Sequence, residues 1–298
     1  MKKNIWQFFC LILVICFSVI ACSQTSNDSK QNSISEANTE QATVTKAERV
    51  VALTSLTADI TYQLDSTKLV GIAGSRLLKQ DKRFTNLPTV SEGRTQANLE
   101  KIVALKPDLV IGAKGFSDRV LTKVEELGIK TITTSLNSWE DLEQVTKTVA
   151  DAIAANPQPL LASYQSYIPD NFKSDASTLV LVSRQPILAP NKKSWAGDLL
   201  AKFQAKNLAA DLQGSSPFGG YVTLSAEKVL QANPEIILLV DPGQQGIEEQ
   251  LKVESFWKEL QATQSNRVYV FDYYGLVNPG SLAKIKEACQ KLEQIFSS

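Results

Sequence analysis

At 298 residues the chain is longer than an average single domain, and 43% hydrophobic against 21% charged residues allow one large core or two smaller ones. Its 31 basic residues balance 31 acidic ones and no long run of one sign occurs, which argues against a nucleic-acid partner. Histidine is absent altogether, which removes Ser-His-Asp catalysis and the imidazoles that many sites for bare zinc or manganese use.

Residues 1–21 set Lys2 and Lys3 ahead of an apolar run and end on the small Ala21, the pattern of a cleaved signal peptide. The run is shorter than the roughly 20 residues a bilayer span requires. With Cys22, the ending VIAC resembles the lipobox of bacterial lipoproteins, which implies lipidation of Cys22 and an extracytoplasmic protein held to the membrane by its N-terminal lipid. Cleavage there takes two lysines from a balanced chain, leaving a formal charge of −2, and leaves Cys22 and Cys289 as the mature thiols. No internal disulfide framework is then available. Residues 22–46 are dominated by Ser, Thr, Asn, Gln and Glu and read as a flexible tether.

Order is expected from residue 47. The runs RVVALT, LVGIAG, DLVIGA and IKTITT read as strands, alternating with helical LTADITYQL, NLEKIVAL, DRVLTKVEELG and SWEDLEQVTKTVADAIAAN. Such alternation predicts a parallel sheet covered by helices, here an N-terminal lobe over residues 47–156. Residues 157–172 open with prolines that a first helical turn tolerates and predict a further helix. A second α/β series occupies residues 173–298: strands TLVLVS, EIILLV and RVYVFD, helices WAGDLLAKF, LSAEKVLQAN, FWKELQAT and SLAKIKEACQKLEQIF.

Two phrases repeat at an offset of 127 residues. Superposing Glu100 on Glu227 also aligns Lys101 with Lys228, Pro107 with Pro234, and Asp108 with Glu235, as a duplicated half would. A general likeness among helix-to-strand units is the plainer alternative, but the similar position of each unit within its half favours duplication.

GRTQANLEKIVALKPDLVIG and LSAEKVLQANPEIILL, with RVVALTSLTADITYQL and FWKELQATQSNRVYVFD, resemble the substrate-binding lipoproteins of bacterial ABC importers for ferric siderophores and cobalamin, the class III periplasmic binding proteins. The resemblance covers the chain from Arg49 to about Ile295. It implies two Rossmann-like lobes with parallel-type sheets joined by a single long interlobe helix, residues 157–172, and a ligand in the cleft between lobes. It also implies a non-catalytic receptor, monomeric, whose partners are an ABC permease dimer with its ATPase subunits. Glu100 and Glu227 match the family's docking carboxylates, which pair with permease arginines; both also sit where a helix dipole favours an acid.

Loops at the carboxyl ends of parallel strands line such clefts. From them come the candidate ligand contacts Ser55, Arg76, Phe116, Trp139, Arg184, Trp195 and Tyr273, joined by Arg94 and Tyr221 just ahead of the two docking helices. The resemblance assigns Arg94 and Arg184 to the hydroxamate and citrate branch, and guanidinium forks suit carboxylate and hydroxamate oxygens. Each arginine is equally at home in a surface or interlobe ion pair.

Without histidine, a metal already wrapped by its own organic ligand fits better than a bare ion, and the resemblance implies that this ligand is a ferric chelate, with no protein-bound metal or cofactor. Cobalamin is the alternative on the same fold. A carboxylate glycosidase remains formally open, although Glu100 and Glu227 belong on outer faces, and a structural lipoprotein would fill the seam between lobes.

Overall fold

The computed structural model describes residues 46–298 except 94, 171, 173, 215, 217 and 242–245. The expected signal peptide at 1–21, the candidate lipidation site Cys22, nearly all of the expected tether at 22–46, and Arg94 therefore lie outside the described residues. Thr45–Ser298 forms one compact unit.

Its first half runs β1 (Val50–Ala52), α1 (Ser55–Asp65), β2 (Leu69–Ile72), α2 (Arg76–Lys79), α3 (Leu99–Ala104), β3 (Leu109–Ala113), α4 (Asp118–Glu126), β4 (Lys130–Thr134) and α5 (Trp139–Ala152). After α6 (Gln158–Gln165) come β5 (Ser177–Leu181), β6 (Ser183–Arg184), β7 (Ile187–Pro190), α7 (Trp195–Lys202), β8 (Lys206–Asn207), β9 (Tyr221–Leu224) and α8 (Ala226–Ala232). The chain closes with β10 (Ile236–Asp241), α9 (Ile247–Lys252), α10 (Gln261–Gln264), β11 (Val268–Asp272), α11 (Tyr273–Leu276) and α12 (Leu282–Phe296).

Two parallel sheets carry the two lobes, in the orders β2-β1-β3-β4 and β11-β10-β5-β8. Read from the other edge, the second is β8-β5-β10-β11, so that β5, β10 and β11 take the places of β1, β3 and β4. The inner strands are apolar along their whole length because helices cover both faces: Val50–Ala52 and Ile236 to Val240 are buried.

The offset of 127 residues survives in detail. Asn98 caps α3 through the Lys101 amide, and Ser225 caps α8 through the Lys228 amide. Asp108 accepts from the Glu48 and Arg49 amides at 2.9 Å ahead of β1, while Glu235 accepts from the Ser177 amide at 2.7 Å at the start of β5. Each carboxylate thus ties the strand it precedes to the neighbouring strand of its sheet, and the Ser177 amide holds the Glu235 carboxyl below its ordinary range.

Two expectations are corrected. Of the long connecting helix expected over 157–172, only the eight residues Gln158–Gln165 are helical among the described residues. Pro169 accounts for the stop: within a continuing helix its ring would meet the Gln165 carbonyl, and it disfavours helical backbone at Ile168. The lobes are joined more by packing than by this helix. One apolar cluster runs through both, with Ile60, Trp139, Leu142 and Val149 from the first half beside Val180, Trp195, Leu238 and Ile285 from the second. The second correction concerns Arg184, expected in a strand-end loop: residues 183–190 instead contain β6 and β7, which with β9 make a three-stranded antiparallel sheet.

Burial raises the Tyr164 phenol and pushes both the Tyr221 phenol and the Cys289 thiol up to about 12. Because folding favours these neutral forms, their contribution to stability is whole below the unfolded values of 9.0 for the thiol and 10.0 for the phenols. It is lost as pH rises through the folded values. The urea midpoint is expected to fall as pH is raised from about 9 to about 12; a midpoint that stays level across that window would contradict this.

Candidate functional site

A cleft of about 970 Å³ opens between the lobes. The first lobe supplies loops at the carboxyl ends of all four of its strands: Thr54 and Ser55 after β1, Ser75 and Arg76 after β2, Lys114 and Phe116 after β3, Ser135 to Asn137 after β4. The second lobe supplies Tyr221 and the segment from Tyr273 to Gly280. The volume lies at the upper end of the range for small-molecule sites.

Arg76 and Lys114 are the cationic side chains among the described lining residues, which include no Asp or Glu. Both are exposed, and neither side chain forms a hydrogen bond or ion pair with another described residue. Two unneutralised cations in an acid-free cleft favour an anionic guest. Around them stand the hydroxyls of Thr54, Ser55, Ser75 and Ser135 and the rings of Phe116, Tyr221, Tyr273 and Tyr274. Phe116 is 49% exposed, an unusual state for a phenylalanine and suited to cover an apolar part of a ligand. Burial, with Tyr273 nearby, pushes the Tyr221 pKa up to about 12; it meets a ligand as a neutral hydrogen-bonding phenol.

The tyrosine segment is held by an unusual backbone. Tyr273 and Tyr274 pack edge to face at 5.5 Å, and Gly275 follows with φ of 101°. A Cβ at Gly275 would lie 2.2 Å from the Lys284 carbonyl oxygen, so the turn takes only glycine. The Gly275 carbonyl in turn accepts from Trp195 Nε1 at 2.8 Å.

Of the candidate contacts, Ser55, Arg76, Phe116, Tyr221 and Tyr273 converge on the cleft. For Arg94, the flanking Gly93 and Thr95 line it. Three others are placed elsewhere. Trp139 and Trp195 are buried at 6% and 3% exposure and stack on each other at 6.0 Å, one from each lobe, behind the cleft wall. They start α5 and α7, whose first turns face the shared core. Arg184 pairs with Glu254, Nη2 to Oε1 at 2.6 Å, because the β6–β7 hairpin carries it sideways to the segment that follows α9. Lys114 and Asn278 were missed as individuals, although both lie in strand-end loops that the sequence marks.

Glu100 and Glu227 are exposed in the first turns of α3 and α8, at matching places in the two lobes. Among the described residues, no group of three or more His, Cys, Asp or Glu side chains gathers as metal ligands would, and no helix is long and apolar enough to cross a membrane.

Residues 50–274 match the family model described as "Periplasmic binding protein". The vitamin B12-binding protein of Salmonella typhimurium is 28% identical over 66% of this chain and 74% of its own length. The iron-uptake system-binding protein of Bacillus subtilis is 23% identical over 95% of this chain and 97% of its own. The crystal structure of an ABC transporter substrate-binding protein from Listeria monocytogenes superposes with a TM-score of 0.70 at 25% identity, covering 84% of this chain and 99% of that one.

Proposed function

This chain belongs to the periplasmic binding protein family, and from that premise we propose that it is the extracytoplasmic receptor of an ABC importer for a ferric siderophore of the hydroxamate or citrate type. It is a binding protein and not an enzyme. The observation that carries the ligand reading is the cleft itself: Arg76 and Lys114 stand without partners and without a neighbouring carboxylate among the described lining residues. A hydroxamate or citrate complex presents anionic oxygens to such cations and keeps its iron wrapped, which suits a chain that has no histidine.

The sequence VIAC supports lipidation at Cys22, with residues 22–46 as the tether from membrane to lobes. Exposed Glu100 and Glu227 serve as the paired docking points for a permease dimer whose ATPase subunits supply the energy. The receptor acts as a monomer, over lobes at 47–156 and 173–298.

The similarity to a vitamin B12-binding protein favours cobalamin as the second reading. Trp139 and Trp195, stacked behind the cleft, provide an intrinsic fluorescence signal to separate the two. Titration with ferric citrate or a ferric hydroxamate is expected to quench it saturably, with cyanocobalamin failing to compete. Saturable quenching by cyanocobalamin with no response to either iron complex would reverse the assignment.

A further inference from the structure

The two lobes exchange a matched pair of hydrogen bonds. In the first lobe, α5 begins at Trp139 behind the cap Ser138, whose Oγ accepts from the Asp141 amide. In the second, α12 begins at Leu282 behind Ser281, whose Oγ accepts from the Lys284 amide. A serine cap of this kind leaves the first helical N–H without an intrahelical partner. Each of these two amides finds its acceptor in the opposite lobe. The Trp139 amide donates to Asp198 Oδ2 on α7 at 2.8 Å, and the Leu282 amide donates to Asp59 Oδ2 on α1 at 2.8 Å.

The arrangement is reciprocal. Asp59 lies on the helix after β1 and Asp198 on the helix after β7; each meets the start of the other lobe's closing helix. Helices of 14 and 15 residues put partial positive charge at those starts, which favours a carboxylate. Asp59 is only 1% exposed and its other oxygen accepts from Arg83 Nη1 at 2.8 Å, so the buried charge is compensated on both sides. The segments immediately before the two helix starts, 134–137 and 277–280, line the cleft.

We infer that Asp59 and Asp198 are reciprocal latches between the lobes, each positioning a cleft-lining segment of the opposite lobe and together fixing the cleft width that the short α6 does not set. The two latches belong to the fold and act whichever ligand the cleft holds.

The test uses the full chain with Asp198→Ala and Asp198→Asn, since Asp198 is partly exposed and its loss leaves no fully buried charge unpaired. Asp59→Asn is the companion, retaining an acceptor for Leu282. Hydrogen exchange reads the Trp139 and Leu282 amides directly. Spin labels at Lys123→Cys and Lys258→Cys, exposed sites in the two halves, read the distance between lobes.

In Asp198→Ala the Trp139 amide is expected to exchange about tenfold faster or more, as loss of a charge-assisted bond implies, while amides in the middle of α5 keep their protection. The interlobe distance distribution should broaden. Asp198→Asn should restore both readings toward the parent chain, because its amide oxygen still accepts. A Trp139 amide that exchanges at the parent rate in Asp198→Ala, with the distance distribution unchanged, overturns the inference. So does equal disturbance in the Ala and Asn variants. Loss of protection throughout α5 in Asp198→Ala would likewise overturn it, since Asp198 would then support the whole helix instead of a latch.

Discussion

Reversal of both exposed carboxylates, Glu100→Arg with Glu227→Arg, is expected to cut ligand uptake by at least about tenfold while leaving ligand affinity within about a factor of two. Both side chains project from the first turns of short helices whose caps, Asn98 and Ser225, are separate residues and remain in place. Neither glutamate lines the cleft, so the binding site keeps every group it uses. An arginine in the first turn opposes the helix dipole at a cost of about 0.3–1 kcal/mol each, and a Glu100→Gln with Glu227→Gln chain controls for that. Uptake of radiolabelled iron as ferric citrate by cells, set beside fluorescence titration of the purified variants, separates delivery from capture. Undiminished uptake by the reversed variant would dismiss the docking role; a large loss of affinity would move the two residues into the binding machinery.

Removing the cleft cations has the opposite signature. Arg76→Ala with Lys114→Ala is expected to weaken binding of a ferric citrate or hydroxamate complex by at least about tenfold, since hydrogen bonds to charged groups contribute about 1.5–3 kcal/mol each. Thermal stability should change little, because neither side chain bonds to another described residue. Arg76→Lys should fall between parent and alanine variant, having kept the charge but lost the planar fork. Unchanged affinity in the double alanine variant would mean that the guest is not recognised by its anionic oxygens.

Most of the architecture was legible because it depends on strong, local signals. Apolar strands such as IILLVD, caps such as Asn98 and Ser225, and the repeat that sets Asp108 against Glu235 are each written in a few adjacent residues. Arg76, Phe116 and Tyr273 were legible for a related reason: a parallel sheet sends the ends of its strands to one edge.

What stayed hidden depended on how far a neighbouring element reaches. An aromatic residue at a helix start reads the same whether it faces a cleft or a core, and only the packing of α5 on α7 turns Trp139 and Trp195 inward. The guanidinium of Arg184 suits a ligand carboxylate or Glu254 equally well, and the β6–β7 hairpin decides between them. Pro169 carried the signal for the short α6, but the resemblance to a family with a long connecting helix set the expectation through 172. The reciprocal aspartates have no local signature, since each bond joins residues far apart in sequence.

Native mass spectrometry of the full chain isolated from iron-starved cells is the most direct test of what the cleft holds. The expected spectrum shows an added mass bearing the isotope pattern of iron together with an anionic organic ligand, and the addition is lost from Arg76→Ala with Lys114→Ala. A cobalt corrinoid in its place, or an iron complex retained at full occupancy by that variant, would contradict the reading of the cleft as a receptor for a ferric chelate recognised by its anionic oxygens.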